Sequence, residues 1–184
     1  MLRKLFCLGL FIAASALGGL RANAAPIALD QWYTFGFRDV GSSLTSGAGF
    51  ILGVNPPSIA APDAPWTFTL SAPGTLTLLD GFSSGDQFNV TDFGSLLGPT
   101  SVPVPGSDCG GDISACLANP NISHGVFALG VGNHSIGGTV LLSPFGAGAG
   151  FFLVSSVAVP EPASLALFGT ALLGLALVRK RKAA

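Results

Sequence analysis

Residues 66–80 read Trp66-Thr67-Phe68-Thr69-Leu70-Ser71-Ala72-Pro73-Gly74-Thr75-Leu76-Thr77-Leu78-Leu79-Asp80. Large apolar and small hydroxyl side chains alternate on both sides of Ala72-Pro73-Gly74. A period of two places Trp66, Phe68 and Leu70 on one face of a strand, and Leu76 and Leu78 on one face of the next. The Pro-Gly step reads as a turn, so the stretch predicts two strands joined in a hairpin. The residues that follow, Asp86-Gln87-Phe88-Asn89-Val90-Thr91-Asp92, alternate again with Phe88 and Val90 inward.

Further strands are expected at 32–37, 50–54, 101–104, 126–129, 135–142 and 151–157, separated by Gly, Pro, Asp and Asn. No stretch combines a helical period with good helix formers. Residues 25–159 carry 21 glycines and 11 prolines, with 11 phenylalanines to fill a core. The class that fits is all-β: one antiparallel β-sandwich or jelly-roll-like domain. Gly146-Ala147-Gly148-Ala149-Gly150 lacks the Lys and helix of a phosphate loop and is expected to form a bend or bulge before the last strand.

Charge separates this body from its ends. The 184-residue chain is 9% charged with a net charge of -1, against about a quarter charged in ordinary globular domains. Between residues 25 and 159 there is one basic residue, Arg38, against eight aspartates and no glutamate, a net charge of -7. The remaining cations lie at the termini. Without a cationic face the body has no means of neutralising phosphates, which excludes a nucleic-acid binder.

At the N-terminus, Arg3 and Lys4 precede an apolar run over 5–20. Ala22 and Ala24 stand at the -3 and -1 positions of a cleavage site, with Ala25 following. This is the pattern of a secretory signal peptide, residues 1–24, and predicts a signal helix entering the Sec export machinery. At the C-terminus, Pro160-Glu161-Pro162 forms a stiff, non-helical element. An apolar run over 163–178 follows, long enough for about 24 Å of helix, and then Arg179-Lys180-Arg181-Lys182. A basic cluster behind an apolar span stays in the cytoplasm. The body would then be held outside the inner membrane by a C-terminal transmembrane helix.

The string VPEPASLALFGTALLGLALVRKRK, with its Pro-Glu-Pro motif, single short helix and terminal basic cluster, resembles a PEP-CTERM sorting signal. The resemblance implies a Gram-negative bacterium, an exosortase that recognises Pro160, Glu161 and Pro162 and removes the tail, and final residence at the cell surface or in the extracellular matrix. It also implies association with exopolysaccharide and biofilm. The organisation expected is a signal peptide at 1–24, an exported β-domain at 25–158 and a sorting signal at 159–184. A second likeness covers residues 66–154: the run from Trp66, the later Gly132-Asn133-His134-Ser135-Ile136 and the final glycine-rich strand are similar to a secreted β-domain. That domain is found in bacterial PEP-CTERM proteins and some fungal extracellular proteins, and it implies no activity. Its pattern often ends in a basic residue where this chain has Leu153.

Candidate chemistry is sparse. Gly81-Phe82-Ser83-Ser84-Gly85 is a literal G-x-S-x-G, and His124 and His134 lie downstream. A nucleophile elbow needs a helix after the serine, however, and residues 86–92 read as a strand. Asp80, Asp86 and Asp92 recur every six residues around that loop and offer oxygen ligands for Ca²⁺, though at no EF-hand spacing. No other cofactor is expected. Their default role is to cap turns. A glycosidase needs two carboxylates in distinct environments, and nothing in the sequence singles out a pair. Trp32, Tyr33 and Trp66 are candidates to stack on sugar rings, although their strand positions suit a core as well. Once Cys7 leaves with the signal peptide, Cys109 and Cys116 remain, bracketing a flexible loop; in an oxidising exterior they are expected to pair. The expected role is that of a non-enzymatic surface or matrix component, with a carbohydrate-binding module and a secreted hydrolase as the competing readings.

Overall fold

The computed structural model describes residues 25–156. Eleven strands and one short helix follow in chain order: β1 (Ala25–Pro26), β2 (Trp32–Phe37), β3 (Thr45–Ser46), β4 (Ser58–Ala60), β5 (Trp66–Leu70), β6 (Gly74–Asp80), β7 (Gln87–Asp92), β8 (Ser95–Pro99), α1 (Ile113–Ala118), β9 (His124–Leu129), β10 (Gly132–Leu142) and β11 (Gly148–Ser156). They form two sheets. The first has the order β1-β5-β10-β7-β8; the second has β3-β2-β11-β6-β9, with β4 also pairing β2. All pairings are antiparallel except β1 with β5 and β2 with β4. The all-β sandwich architecture expected from the alternation is the one observed.

The inward faces follow from the period of two. Trp66, Phe68 and Leu70 of β5, Phe88 and Val90 of β7, and Ile136 and Val140 of β10 meet Phe35, Phe37, Leu76, Leu78, Phe152 and Val154 of the opposite sheet. Trp66 is fully buried and lies face to face with Phe152, ring centroids 3.9 Å apart. Its indole Nε1–H donates to the Pro62 carbonyl at 2.9 Å, so the polar edge of the ring is satisfied.

A second, smaller core lies on the outward parity of the same sheet. Leu79 and Phe151 are buried there with Ile113, Cys116 and Ile122, and Trp32, Phe82 and Cys109 pack against them. The Cys109–Cys116 disulfide is formed. Closing so short a loop removes denatured-state entropy worth about 2.5 kcal/mol on the chain-entropy formula. The segment it closes is not wholly a flexible loop, because α1 begins inside it at Ile113 and carries Cys116. Asp112 is the N-cap, its carboxylate accepting from the Ala115 N–H at 3.0 Å, and Ile113 and Cys116 supply the buried face.

Several local expectations are overturned. β5 and β6 do not form a hairpin: β5 pairs β1 and β10, whereas β6 pairs β9 and β11. The Ala72-Pro73 turn carries the chain from one sheet to the other. Residues 50–54 are not a strand, since β3 and β4 already occupy the free edge of β2 and the chain between them bulges outward. The Gly53 N–H donates there to Ser58 Oγ at 2.7 Å. Residues 101–104 make only two ladder-like bonds, from the Ser101 and Val104 amides, because Pro103 and Pro105 lack donors. In place of that strand, β8 pairs with β7 through a two-residue turn with φ of 47° at Phe93 and 78° at Gly94.

The glycine-rich run at 146–150 is not wholly a bend, because β11 begins at Gly148. A Cβ at Gly148 would lie 2.5 Å from the Phe37 ring, and one at Gly150 2.5 Å from the Phe35 ring. These small residues are therefore the floor on which large rings rest. Among the described residues no helix is long and apolar enough to cross a membrane. The expected signal helix and transmembrane helix lie outside the described residues.

Candidate functional site

β6 ends inside the sandwich. Asp80 continues the inward parity of Leu76 and Leu78, so its carboxyl enters the end of the core and is fully buried. The chain then makes a six-residue excursion before β7, and Asp80 ties both ends of it. Its Oδ1 accepts from the Gly81 N–H at 2.9 Å and its Oδ2 from the Asp86 N–H at 3.2 Å. Burial and, second, the charge of Asp86 push the Asp80 carboxyl up to about 8, against the pull of backbone N–H groups from Asp86, Gly81 and Gly85. Asp86 is raised too, by burial, with the Ser143 hydroxyl acting in the opposite direction. Ser143 and Asp86 do not reach hydrogen-bond geometry: Asp86 Oδ1 and Ser143 Oγ are both buried without a partner.

Above this pair opens a cavity of about 300 Å³. Asp86 and Ser83 supply its polar lining, and Phe50, Ile51, Phe82 and Phe145 its walls. The rim is apolar and open, with Ile51 73% and Phe145 63% exposed. Phe50 and Ile51 are the residues that failed to form a strand, and Phe145 sits in the link between β10 and β11. Sequence reasoning found the acidic floor and missed the walls. The available signal was an apolar run after Gly49 with no alternation.

The three candidate calcium ligands do not converge. Asp80 and Asp86 adjoin each other, but Asp92 lies at the far end of β7. There its Oδ2 meets His134 Nδ1 at 2.7 Å and its Oδ1 accepts from the Ser135 N–H at 2.9 Å. Asp92 thus fastens the β7–β8 turn to β10, the turn-capping role expected of such aspartates. Two residues of inward parity separate it from the loop that holds the others. Among the described residues no three His, Cys, Asp or Glu side chains come together to hold a metal ion.

The serine motif is not assembled as a triad. Residues 82–84 run beside 107–110: the Phe82 N–H donates to the Gly110 carbonyl and the Cys109 N–H to that of Phe82, both at 2.9 Å. Ser83 Oγ donates to Asp108 Oδ2 at 2.9 Å. His124 Nδ1 faces the Ile122 carbonyl, and His134 bridges Asp92 and the Gly130 carbonyl. A ribbon replaces the strand-to-helix turn that a nucleophile elbow requires.

The sugar-stacking candidates are occupied in packing. Trp66 lies in the core, Tyr33 stacks on Phe152 at 5.1 Å and accepts from the Ala28 N–H, and Trp32 is half-buried against the second core. The aromatic rings open to solvent include Phe93, at 67% exposure, and Phe145.

The sorting residues Pro160, Glu161, Pro162, Arg179, Lys180, Arg181 and Lys182 lie outside the described residues, as do Ala22 and Ala24. Ala25 opens β1, paired with Trp66. Compared with known families, residues 158–182 match the PEP-CTERM protein-sorting motif. No curated protein and no solved structure matches the chain. The chain carries this sorting motif, which supports exosortase-dependent sorting of an exported surface protein.

Proposed function

We propose that this chain, with a PEP-CTERM motif at 158–182 directly behind a strand that ends at Ser156, is a non-enzymatic component of the cell surface or extracellular matrix. An exosortase cuts it from its membrane tail. The observation that carries the reading is this adjacency: a complete sandwich followed almost at once by the sorting motif leaves no further folded module between domain and tail. Replacing Pro160, Glu161 and Pro162 by alanine is expected to leave the protein unprocessed and in the membrane fraction. The assay is fractionation and intact-mass analysis of the producing cells. Release of that variant at the normal size would overturn the reading.

The open face of the first sheet favours a second role, contact with a neutral polysaccharide. Thr67, Thr69, Thr91, Asn133 and Ser135 point away from the core, and Thr69 Oγ1 donates to Asn133 Oδ1 at 2.7 Å. In a body of net charge -7 these five outward side chains are uncharged, and His134, in contact with Asp92, lines one of the grooves beside them. Phe93 projects between two shallow grooves that these residues line. Hydroxyl and amide groups beside one exposed ring suit an uncharged, hydroxyl-rich chain. Retention of the full chain on an insoluble β-glucan is expected to fall several-fold in Phe93→Ala. Unchanged retention would remove this role.

A further inference from the structure

We propose that the cavity over Asp86 binds an organic cation, a primary ammonium group carried on a small apolar or aromatic body. The site goes beyond the surface-component reading and does not depend on how the tail is processed.

The cavity, at about 300 Å³, is of the size that holds a small organic molecule. Its walls are Phe50, Ile51, Phe82 and Phe145, and Asp86 and Ser83 are its polar lining. Asp86 is 3% exposed, and its Oδ1 has no hydrogen-bond partner; neither has Ser143 Oγ nearby. A buried carboxylate without a counter-charge is costly. Among the described residues the single contact between a basic and an acidic side chain is that of His134 with Asp92, so no basic side chain reaches Asp86. An ammonium group brings a positive charge and three donors to the Asp86 side chain that lines the cavity. The ring faces on the walls attract the same positive charge.

A calcium ion suits the site less well. It takes six to eight oxygens, among the described residues no third acidic or imidazole ligand joins Asp80 and Asp86, and apart from Ser83 the side chains of the walls are hydrocarbon. Both oxygens of Asp80 already receive backbone N–H groups. Burial pushes the Asp80 carboxyl up to about 8, so Asp80 does not compete with Asp86 for a cation near neutral pH.

The test is calorimetric titration of the full chain, purified in a neutral detergent, with benzylammonium, benzyl alcohol and CaCl₂ as probes at pH 7. Saturable binding of benzylammonium is expected, about ten-fold weaker in Asp86→Asn and about ten-fold weaker for benzyl alcohol. Phe145→Ala, a change at an exposed ring, is expected to weaken it several-fold. It decides the matter if Asp86→Asn does not fold. The proposal is overturned if benzylammonium does not saturate, if Asp86→Asn and Phe145→Ala bind it as the parent does, or if only calcium binds.

Discussion

Trp66→Ala is expected to lower the unfolding free energy by about 4 kcal/mol, a large part of the roughly 5–15 kcal/mol that holds a domain folded. Trp66 is fully buried at the centre of the sandwich. It stacks on Phe152, packs against Phe35 at a centroid distance of 5.8 Å, and bonds the Pro62 carbonyl through its indole nitrogen. Removing the ring leaves a cavity between two sheets that cannot close, because each sheet is held apart by the other rings. It also strands a carbonyl. Trp66→Phe keeps much of the stack and loses the hydrogen bond, so it is expected to cost about 1–2 kcal/mol. Urea unfolding followed by circular dichroism reads both. A loss below about 1 kcal/mol in Trp66→Ala would mean that this ring is not the joint between the sheets.

The stability of the protein is expected to fall as pH rises from about 4 to about 8, with Asp80 as the main cause. Its carboxyl is raised from 3.8 to about 8 in the folded chain. Below pH 4 the group is protonated in both states and favours neither. Between the two values the unfolded chain gives up this proton while the folded chain keeps it. The folded state then binds more protons, and stability declines by up to about 1.4 kcal/mol per pH unit. Above about pH 8 both states are ionised and the decline from this group ends. Asp86, raised in the same direction, adds to the slope.

Asp80→Asn is expected to flatten the profile between pH 5 and 7.5. It would be less stable than the parent at pH 5, where an amide nitrogen replaces one acceptor, and more stable at pH 9. Asp86→Asn removes the neighbouring charge and moves the end of the decline to lower pH. A parent profile that is flat or rising over this range would refute the assignment.

These two residues also mark the limit of what was legible beforehand. Alternation placed Trp66 on one face with Phe68 and Leu70, and left open whether its ring packs in a core or stacks on a sugar; the structure buries it. The same alternation predicted a hairpin with β6, and there it failed. Two strands whose apolar faces meet across a core have the same local pattern as two strands side by side. A turn that keeps the chain in one sheet and one that changes sheets differ in long-range pairing, which here comes from β10 and β11. For Asp80 and Asp86 the sequence showed flexible backbone and spaced carboxylates. It could not show that one would be drawn into the end of the core, nor that Asp92, of the same type and spacing, would be paired with His134. Phe50, Ile51 and Phe145 were missed as pocket walls, since an exposed apolar side chain in a loop has no periodicity to reveal it.

By itself the sequence determined the class of the domain, the identity of its core faces, the pairing of Cys109 with Cys116 and the sorting motif at 158–182. Each of these depends on neighbours within a few residues: a period of two, a short loop between thiols, a contiguous string. The tertiary structure alone decided which strands are neighbours, which aspartates meet, and where a cavity opens over a buried carboxylate. Those depend on residues far apart in the chain, and on which of two sheets claims each strand.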